Sequence, residues 1–259
     1  MTEAATKLLA ADEPAPVTVY NAGGVSPFLL VADHAGRTMP RALGTLGISA
    51  AERERHIAWD IGIAGLARPL ADALDAMLIE QTYSRLVIDC NRPPDAPTSI
   101  PQVSEHTPIP GNVGLSQADR AARADAIFRP YHARIEAELD RRRQGKLPEV
   151  LIALHSFTPV FKGTGRPWQA ALLYRHDARL AHRLIALFKG EGLSVGDNEP
   201  YFVSDQTDYT IPVHGERRGI PHALIEIRQD LIEVEGGQRE WAARLARLLP
   251  LAYEGLPAA

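Results

Sequence analysis

The sequence predicts an α/β protein of three layers, in which helices cover both faces of a mixed, mostly parallel β-sheet. Short apolar runs typical of buried strands alternate with longer segments of helical periodicity along the 259 residues. Polar residues occupy or directly follow several of these runs, as they do at the carboxyl edge of parallel sheets, where α/β enzymes carry out chemistry. No low-complexity linker divides the chain. We therefore expect one domain over residues 17–259, preceded by a loose tail over residues 1–16.

Four elements are predicted in the first third of the chain. Residues 28–32 (F-L-L-V-A) form a short buried strand. A helix begins near Ala50, because Ser49 and Glu52 have the spacing of a capping box, and its apolar residues continue at helical spacing to about Leu74. Residues 77–80 and 86–89 are two further strand candidates.

Proline and capping signals organise the rest of the chain. A proline-rich loop spans residues 93–110, and long loops of this kind usually cover sites. Ser116 and Asp119 begin a long helix that runs to Gly145, with a kink or break expected at Pro130. The remaining predicted elements are strands over residues 149–154, 170–174 and 223–227 and helices over residues 177–190 and 238–249.

Charge and composition argue against several classes of partner. The chain has a formal net charge of -4, and 45% of its residues are hydrophobic and 23% charged, as in ordinary globular enzymes. A nucleic-acid-binding domain is normally basic, and no apolar stretch approaches the roughly 20 residues of a membrane-spanning helix. The first 16 residues lack the basic start and apolar middle of a signal peptide. We expect a cytoplasmic protein that binds neither nucleic acid nor membranes.

Two histidines are candidate metal ligands. His34 and His155 each follow an apolar strand and precede a small residue, and a catalytic zinc site often takes two histidines and a carboxylate. The H-x-x-E spacing of many such sites would place a glutamate at position 37, where this chain has Arg37. We favour Asp60 as the third ligand, since Asp33 would point away from His34 in an extended chain. The alternatives are two structural histidines and a helix-capping or surface Asp60.

Asn91 and Arg92 are candidate substrate-binding residues. They follow the predicted strand over residues 86–89, so Arg92 is expected at the same sheet edge as the histidines. A guanidinium fork binds a carboxylate through two parallel hydrogen bonds. The alternative is an ion pair between Arg92 and Asp89 or Asp95.

Glu226 is the candidate catalytic residue. It lies within the apolar run A-L-I-E-I, where an unpaired carboxylate is costly. Beside a water activated by zinc, it could accept a proton and pass it to the leaving amine. The alternative is a buried ion pair with Arg228 or Arg217.

Other signals are weaker. Asn198 and Tyr201 belong to the polar turn D-N-E-P-Y, which could line a substrate pocket, although such turns are common. His214 lies in a segment rich in charge and could belong to the site or to the surface. Ser156 lacks the G-x-S-x-G setting, which argues against a serine hydrolase.

Five motifs in one order resemble the N-formylglutamate amidohydrolase family. They are V-A-D-H-A-G-R-T-M-P, Y-S-R-L-V-I-D-C-N-R-P, A-L-H-S-F, D-N-E-P-Y and I-E-I-R-Q-D-L-I, and the similarity spans about residues 28–232. That family is related in fold to zinc carboxypeptidases and aspartoacylases. The resemblance implies a three-layer domain with one zinc that hydrolyses an N-acyl amino acid, here formylglutamate to formate and glutamate. It also implies that this reaction serves as the last step of histidine breakdown.

The resemblance carries over onto particular residues. The order of first histidine ligand, Asn-Arg carboxylate clamp, second histidine ligand and late catalytic glutamate matches His34, Asn91-Arg92, His155 and Glu226. Arg37 departs from the pattern, because the wider group has its glutamate ligand there. The I-E-I-R-Q-D form is similar to a divergent branch of the family.

Two other functions remain open at this point. One is a related zinc deacylase or carboxypeptidase-like hydrolase that acts on another acidic N-acyl amino acid or peptide. The other is a metal-free protein that binds acidic metabolites. In each enzymatic case the expected partner is a small acidic N-acyl amino acid, and the expected cofactor is one Zn²⁺.

Overall fold

A seven-stranded β-sheet forms the middle layer of the structure, a computed structural model that describes residues 7–256. Two short hairpins, formed by β4 with β5 and by β7 with β8, lie outside this sheet. The strands are β1 (Val17–Tyr20), β2 (Phe28–Ala32), β3 (Met77–Gln81), β4 (Val103–Ser104), β5 (Thr107–Pro108), β6 (Val150–Phe157), β7 (Val160–Phe161), β8 (Thr164–Gly165), β9 (Ala170–Leu173), β10 (Val195–Asp197) and β11 (His222–Arg228).

The sheet is mixed and mostly parallel, as predicted. Its strand order is β1-β3-β2-β6-β11-β9-β10. The neighbours β3, β2, β6 and β11 all run parallel, and so do β9 and β10. Antiparallel pairing occurs where β1 meets β3 and where β9 meets β11. The carboxyl ends of β2, β6 and β11 therefore lie at one edge of the sheet.

Helices cover both faces, which confirms the three-layer α/β/α fold. On β6, Val150, Ile152 and Leu154 pack with α2, α5 and α6, whereas Leu151 and Ala153 pack with α4 and the turn before it. This alternation follows from the two-residue period of a strand. The helices are α1 (Ala50–Arg53), α2 (Ile63–Leu74), α3 (Gln117–Arg123), α4 (Arg129–Gln144), α5 (Arg179–Gly190) and α6 (Glu235–Glu254).

The helix predicted from Ala50 to Leu74 is two helices. Ser49 caps α1 as expected, since its Oγ accepts a hydrogen bond from the Glu52 amide at 3.2 Å. The chain then leaves helical geometry until Gly62, which has a φ of 82°. A Cβ at Gly62 would lie 2.1 Å from the Ile232 carbonyl oxygen, so this turn requires glycine. The break sets Asp60 in a turn between α1 and α2 rather than at a helix start.

The strand predicted over residues 86–89 is wrong. Leu86, Val87 and Ile88 are buried, but the chain turns here, with the Val87 amide donating to the Ser84 carbonyl at 2.9 Å. A short apolar run reports burial and does not by itself distinguish a strand from a packed turn. Because the segment turns, Arg85 lies at the same end as Asn91 instead of at the far end of a strand.

The helix predicted from Ser116 to Gly145 is confirmed with one interruption. Ser116 and Asp119 form a complete capping box at the start of α3. A π-helical turn over Ala124–Phe128 separates α3 from α4, and Pro130 lies in the first turn of α4. A proline is tolerated there because the first helical turn does not need its amide.

Two strands of the sheet escaped prediction. Strand β1 is a half-buried edge strand of four residues, and β10 has three residues including a glycine. Strand β1 (V-T-V-Y) does alternate, but only over four residues, the shortest length at which alternation indicates a strand, whereas β10 offers neither an apolar run nor alternation.

Residues 7–16, which were expected to be a loose tail, contact the domain. The Glu13 carboxylate accepts hydrogen bonds from the Ala10 and Arg41 amides at 2.8 Å each, and the Tyr83 hydroxyl donates to the Pro14 carbonyl at 2.7 Å. Residues 1–6 of the predicted tail lie outside the described residues. Between residues 7 and 256, no helix is long and apolar enough to cross a membrane.

Candidate active site

A cavity of about 530 Å³ opens at the carboxyl edge of the parallel strands. Its floor comes from the ends of β2, β6 and β11, and the segments over residues 98–105 and 200–208 form its walls. Most of the predicted site residues line it, namely His34, Asp60, Asn91, Arg92, His155, Tyr201 and Glu226. A cavity of this size holds a small organic ligand.

The cavity brings together the three predicted metal ligands. Nδ1 of His34 lies 3.4 Å and Nδ1 of His155 lies 2.9 Å from the same oxygen, Oδ2 of Asp60. One ligand atom from each of the three residues can be chosen so that all lie within 4.8 Å of one another, a group that could hold a metal ion. All three side chains are buried.

Each imidazole contacts a further carboxylate through its other nitrogen. Nε2 of His34 lies 2.6 Å from Oδ1 of Asp89, and Nε2 of His155 lies 3.0 Å from Oδ2 of Asp33. A carboxylate on one nitrogen of a histidine fixes the ring and leaves the other nitrogen for a metal. Nδ1 of His34 is buried and has no hydrogen-bond partner among residues 7–256, so the donor set fits a metal ion.

The electrostatics of the cluster favour a cation. Burial raises the pKa of Asp60, but His34 and His155 outweigh it, and the net pKa lies below the usual value. Burial and Arg85 lower the pKa of His34, yet Asp89 and Asp60 raise it above its usual value. The pKa of His155 is well above its usual value, because Asp33 and Asp60 outweigh burial. The carboxylates therefore stabilise positive charge between them, whether protons or a metal supply it.

Unlike Arg37, Asp60 lies beside both histidines. Its amide donates to the His34 carbonyl at 2.9 Å, and its Oδ2 accepts from the Ser156 amide at 3.2 Å. Arg37 instead points outward, where it pairs with Glu54 and lies 5.0 Å from the Trp59 ring centroid. The break between α1 and α2 is what allows Asp60 to reach the histidines.

Glu226 lies beside His155 on the same face of the sheet. The two residues are Cα partners in the parallel pairing of β6 with β11. Oε2 of Glu226 is buried without a hydrogen-bond partner, and burial raises the pKa of this carboxyl to about 7, opposed by His155 and assisted by Asp60. Within the described chain no ion pair joins Glu226 to Arg228 or Arg217, and Arg228 pairs with Asp230 at 2.8 Å. The carboxyl is poised to exchange a proton near neutral pH.

Arg92 keeps its guanidinium largely available. Its nearest carboxylates are Asp208, 3.7 Å from Nη1, and Asp89, 4.0 Å from Nε, which are loose contacts for an ion pair. The side chain of Asn91 is already hydrogen-bonded within the protein. Its Oδ1 accepts from the Tyr209 and Thr210 amides at 3.1 Å each, and these bonds hold the adjoining wall segment of the cavity in place. Arg92 is thus free to bind an anion, while Asn91 supports the wall.

Arg85 is a site residue that the sequence reasoning missed. Its Nε and Nη2 contact Oδ2 of Asp89 at 3.1 and 2.6 Å, and its Nη1 lies 3.4 Å from Oδ1 of Asp60. It therefore ties together the carboxylates that contact His34. The erroneous strand over residues 86–89 hid this role, although the i, i+4 spacing of Arg85 and Asp89 was an available signal.

The structure does not bring Asn198 or His214 to the cavity. Oδ1 of Asn198 accepts from the Tyr174 amide at 3.0 Å. The chain reverses there, with the Glu199 carbonyl against Gly196, where a Cβ would lie 2.3 Å away, and the reversal leads Tyr201 to the cavity. His214 is buried on the π-helical segment Ile211–Glu216, with Nε2 3.0 Å from Nδ1 of His132.

The chain belongs to the N-formylglutamate amidohydrolase family, whose model matches residues 26–233. It is therefore a hydrolase that acts on amide bonds. No curated protein matches the chain.

Solved structures that are similar over almost the whole chain include the following two. The gene product Atu2144 from Agrobacterium tumefaciens is 39% identical, with a TM-score of 0.93 over 95% of this chain and 98% of that chain. The N-formylglutamate amidohydrolase from Ralstonia eutropha JMP134 is 22% identical, with a TM-score of 0.68 over 93% of this chain and 98% of that chain. At that identity, the second similarity supports the fold.

Proposed function

We propose that this chain is a zinc-dependent amidohydrolase that converts N-formyl-L-glutamate to formate and L-glutamate, the last step of histidine degradation. One observation carries the proposal: Nδ1 of His34, Nδ1 of His155 and the Asp60 carboxylate converge next to the unpaired carboxyl of Glu226. Two imidazole nitrogens and one carboxylate are the ligand set of many catalytic zinc sites, which keep a further position for water.

His34, Asp60 and His155 hold the metal, while Asp89 and Asp33 orient the two imidazoles. Bound there, zinc supplies a Lewis acid that polarises the formyl carbonyl and lowers the pKa of water. Arg85 balances the charge of Asp60 and Asp89 and keeps both carboxylates in place.

Glu226 moves the proton in this reaction. As a carboxylate it accepts a proton from the attacking water, whose oxygen forms a bond to the formyl carbon. It then returns the proton to the amide nitrogen as the C–N bond breaks, which releases formate and the amino group of glutamate. Its position on β11 beside His155 places the carboxyl next to the two histidines and Asp60. Among the described residues no hydrogen-bond partner of Oε2 competes for the proton.

Arg92 binds a carboxylate of the substrate through its fork of N–H donors. Its contacts with Asp208 and Asp89, at 3.7 and 4.0 Å, are long enough that a substrate carboxylate can replace them. Charge-assisted binding of this kind selects N-acyl amino acids over N-acyl amines that carry no carboxylate.

The test is an assay of the purified full chain with N-formyl, N-acetyl and N-formimino amino acids, before and after chelation and after addition of zinc. We expect the highest kcat/KM for N-formyl-L-glutamate, loss of turnover on chelation and recovery with zinc. Preference for another acyl group would indicate a related deacylase. Binding of acidic metabolites with neither bound zinc nor turnover would indicate a metal-free binding protein and contradict the proposal.

A further inference from the structure

Arg166 is a buried arginine directly behind the cavity wall. It follows hairpin strand β8, and the residue is 8% exposed. Its Cζ lies 4.8 Å from the ring centroid of Phe161 and 4.7 Å from that of Tyr201. Both rings line the cavity. The guanidinium thus packs against two aromatic side chains that line the cavity.

No carboxylate of residues 7–256 pairs with Arg166. Its Nη1 donates a hydrogen bond to the Thr158 carbonyl at 3.5 Å, the outer limit for such a bond, and the guanidinium also lies beside the Tyr201 hydroxyl. A buried charge is costly unless it is paired and hydrogen-bonded, and aromatic rings offset only part of that cost. An anion in the cavity would complete the environment of this guanidinium.

Packing of the aromatic rings on Arg166 leaves the N–H groups of its guanidinium available to bind an anion. A guanidinium is planar, and its N–H groups point outward in that plane. Rings that lie over it cover its faces and leave its edge, which is the part that binds a carboxylate through two parallel hydrogen bonds. The rings also restrict the side chain, so less conformational freedom is lost on binding.

Three other arginines, two of which line the cavity, differ from Arg166 in their partners. Arg85 contacts Asp89 and Asp60, and Arg55 pairs with Glu52 and Glu105. Arg92 has only its two loose contacts. Of these four arginines, Arg92, which lines the cavity, and Arg166, which packs on two of its lining rings, are the ones without a close carboxylate partner among the described residues.

We propose that Arg166 forms a second anion subsite, which binds the side-chain carboxylate of an acidic N-acyl amino acid, while Arg92 binds its α-carboxylate. This assignment rests on the proposed function. The α-carboxylate is close to the scissile amide, and Arg92 is close to the histidine cluster, since Asp89 contacts both residues. Arg166 packs on Phe161 of the β7–β8 hairpin, which lines the cavity, so we assign to it the carboxylate at the end of the longer side chain.

The experiment compares wild type with Arg166→Lys, Arg166→Gln and Arg92→Lys. Arg55→Lys is the matched control, because Arg55 already has carboxylate partners. For each zinc-loaded protein, kcat and KM are measured with N-formyl-L-glutamate and N-formyl-L-glutamine, which differ in the side-chain charge. Calorimetry with L-glutamate and L-glutamine measures binding independently of turnover.

We expect wild type to prefer N-formyl-L-glutamate, and Arg166→Lys to lower kcat/KM for it at least about tenfold, mainly through KM. The same variant should change the N-formyl-L-glutamine value less than about twofold, whereas Arg92→Lys should lower both. Equal losses on the two substrates, or no loss, would overturn the subsite. Wild type without preference would also overturn it, even if the variants did not fold.

Failure of the proposed function gives a different result. If wild type hydrolyses no N-formyl amino acid, that function is wrong, and calorimetry decides on the subsite. Selective loss of L-glutamate binding in Arg166→Lys, with L-glutamine binding kept, supports it. If Arg166→Lys loses affinity for L-glutamate and L-glutamine equally, or if wild type binds the two amino acids with equal affinity, the subsite is rejected.

Discussion

Asp89 holds the imidazole of His34 through a 2.6 Å contact between Oδ1 and Nε2, which turns Nδ1 toward Asp60. The contact determines which nitrogen of His34 faces the cluster. Asp89→Asn should weaken zinc affinity by about 10- to 100-fold, the usual effect of losing a carboxylate behind a metal-binding histidine. Competition with a chelator of known zinc affinity measures the zinc affinity of each protein. Asp95→Asn, an exposed change on the same segment, is the control; equal affinities in the two variants would contradict the role of Asp89.

The three proposed ligands should each be required for zinc. His34→Ala and His155→Ala remove an imidazole from the cluster, and Asp60→Asn removes the charge of its carboxylate. We expect each to bring zinc content, measured by elemental analysis after dialysis, far below one per chain. His56→Ala is the control, because His56 lines the cavity outside this group. Full zinc content in the Asp60 variant would place the third ligand elsewhere.

The central part of the site was predictable from sequence because its strands are buried on both faces. Strands β2, β6 and β11 are continuous apolar runs, and a polar residue in or after such a run is conspicuous. That is why His34, His155 and Glu226 could be selected before any coordinates were known. The adjacency of Glu226 and His155 depends on the pairing of two strands far apart in sequence, which no local pattern reports.

The outer carboxylates were not predictable in the same way. Asp33 precedes His34 in the chain but contacts His155, and Asp89 contacts His34 from 55 residues away. Both relationships arise only when β2, β6 and the turn after Ser84 meet at one edge. Arg85 was missed for a related reason, since an apolar run was interpreted as a strand when it is a packed turn.

Replacement of Arg92 by lysine should separate charge from geometry. Lysine keeps the positive charge but loses the two-pronged fork. We expect kcat/KM for N-formyl-L-glutamate to fall by an amount equivalent to about 2 kcal/mol. N-formyl-4-aminobutanoate, which lacks the α-carboxylate, should be hydrolysed equally by both proteins. An equal loss on both substrates would show that Arg92 acts through the structure of the site rather than on that carboxylate.

The buried pair His132 and His214 should make stability depend on pH. Burial lowers the pKa of His132 to about 4, and burial together with His132 and Arg218 lowers that of His214 to about 3. Unfolded histidine takes up a proton near pH 6.5. The contribution of the two histidines to the free energy of unfolding is therefore fully present above about pH 6.5. It is lost as the pH falls below that value, by up to about 1.4 kcal/mol per pH unit for each histidine.

Denaturant unfolding of wild type and His214→Gln between pH 7 and 5 tests this pair, at a fixed zinc concentration. The free energy of unfolding should decline less steeply in the variant, because one buried histidine no longer takes up a proton on unfolding. Parallel pH profiles would mean that His214 is already protonated in the folded protein. Subtracting the unfolding free energies of the two proteins at each pH removes the contribution of all titrating groups that both proteins contain.

Glu226→Gln should remove turnover while leaving the site assembled. Glutamine has nearly the size of glutamate, so zinc content and product binding should remain, but its amide cannot accept and return a proton. General acid and base groups contribute about 10²- to 10⁴-fold in rate, and kcat should fall by at least the lower figure. Glu105→Gln is the control, since Glu105 lines the same cavity but pairs with Arg55. If kcat in Glu226→Gln stays at the wild-type value while its melting temperature falls, Glu226 is a structural residue and the catalytic base is another group.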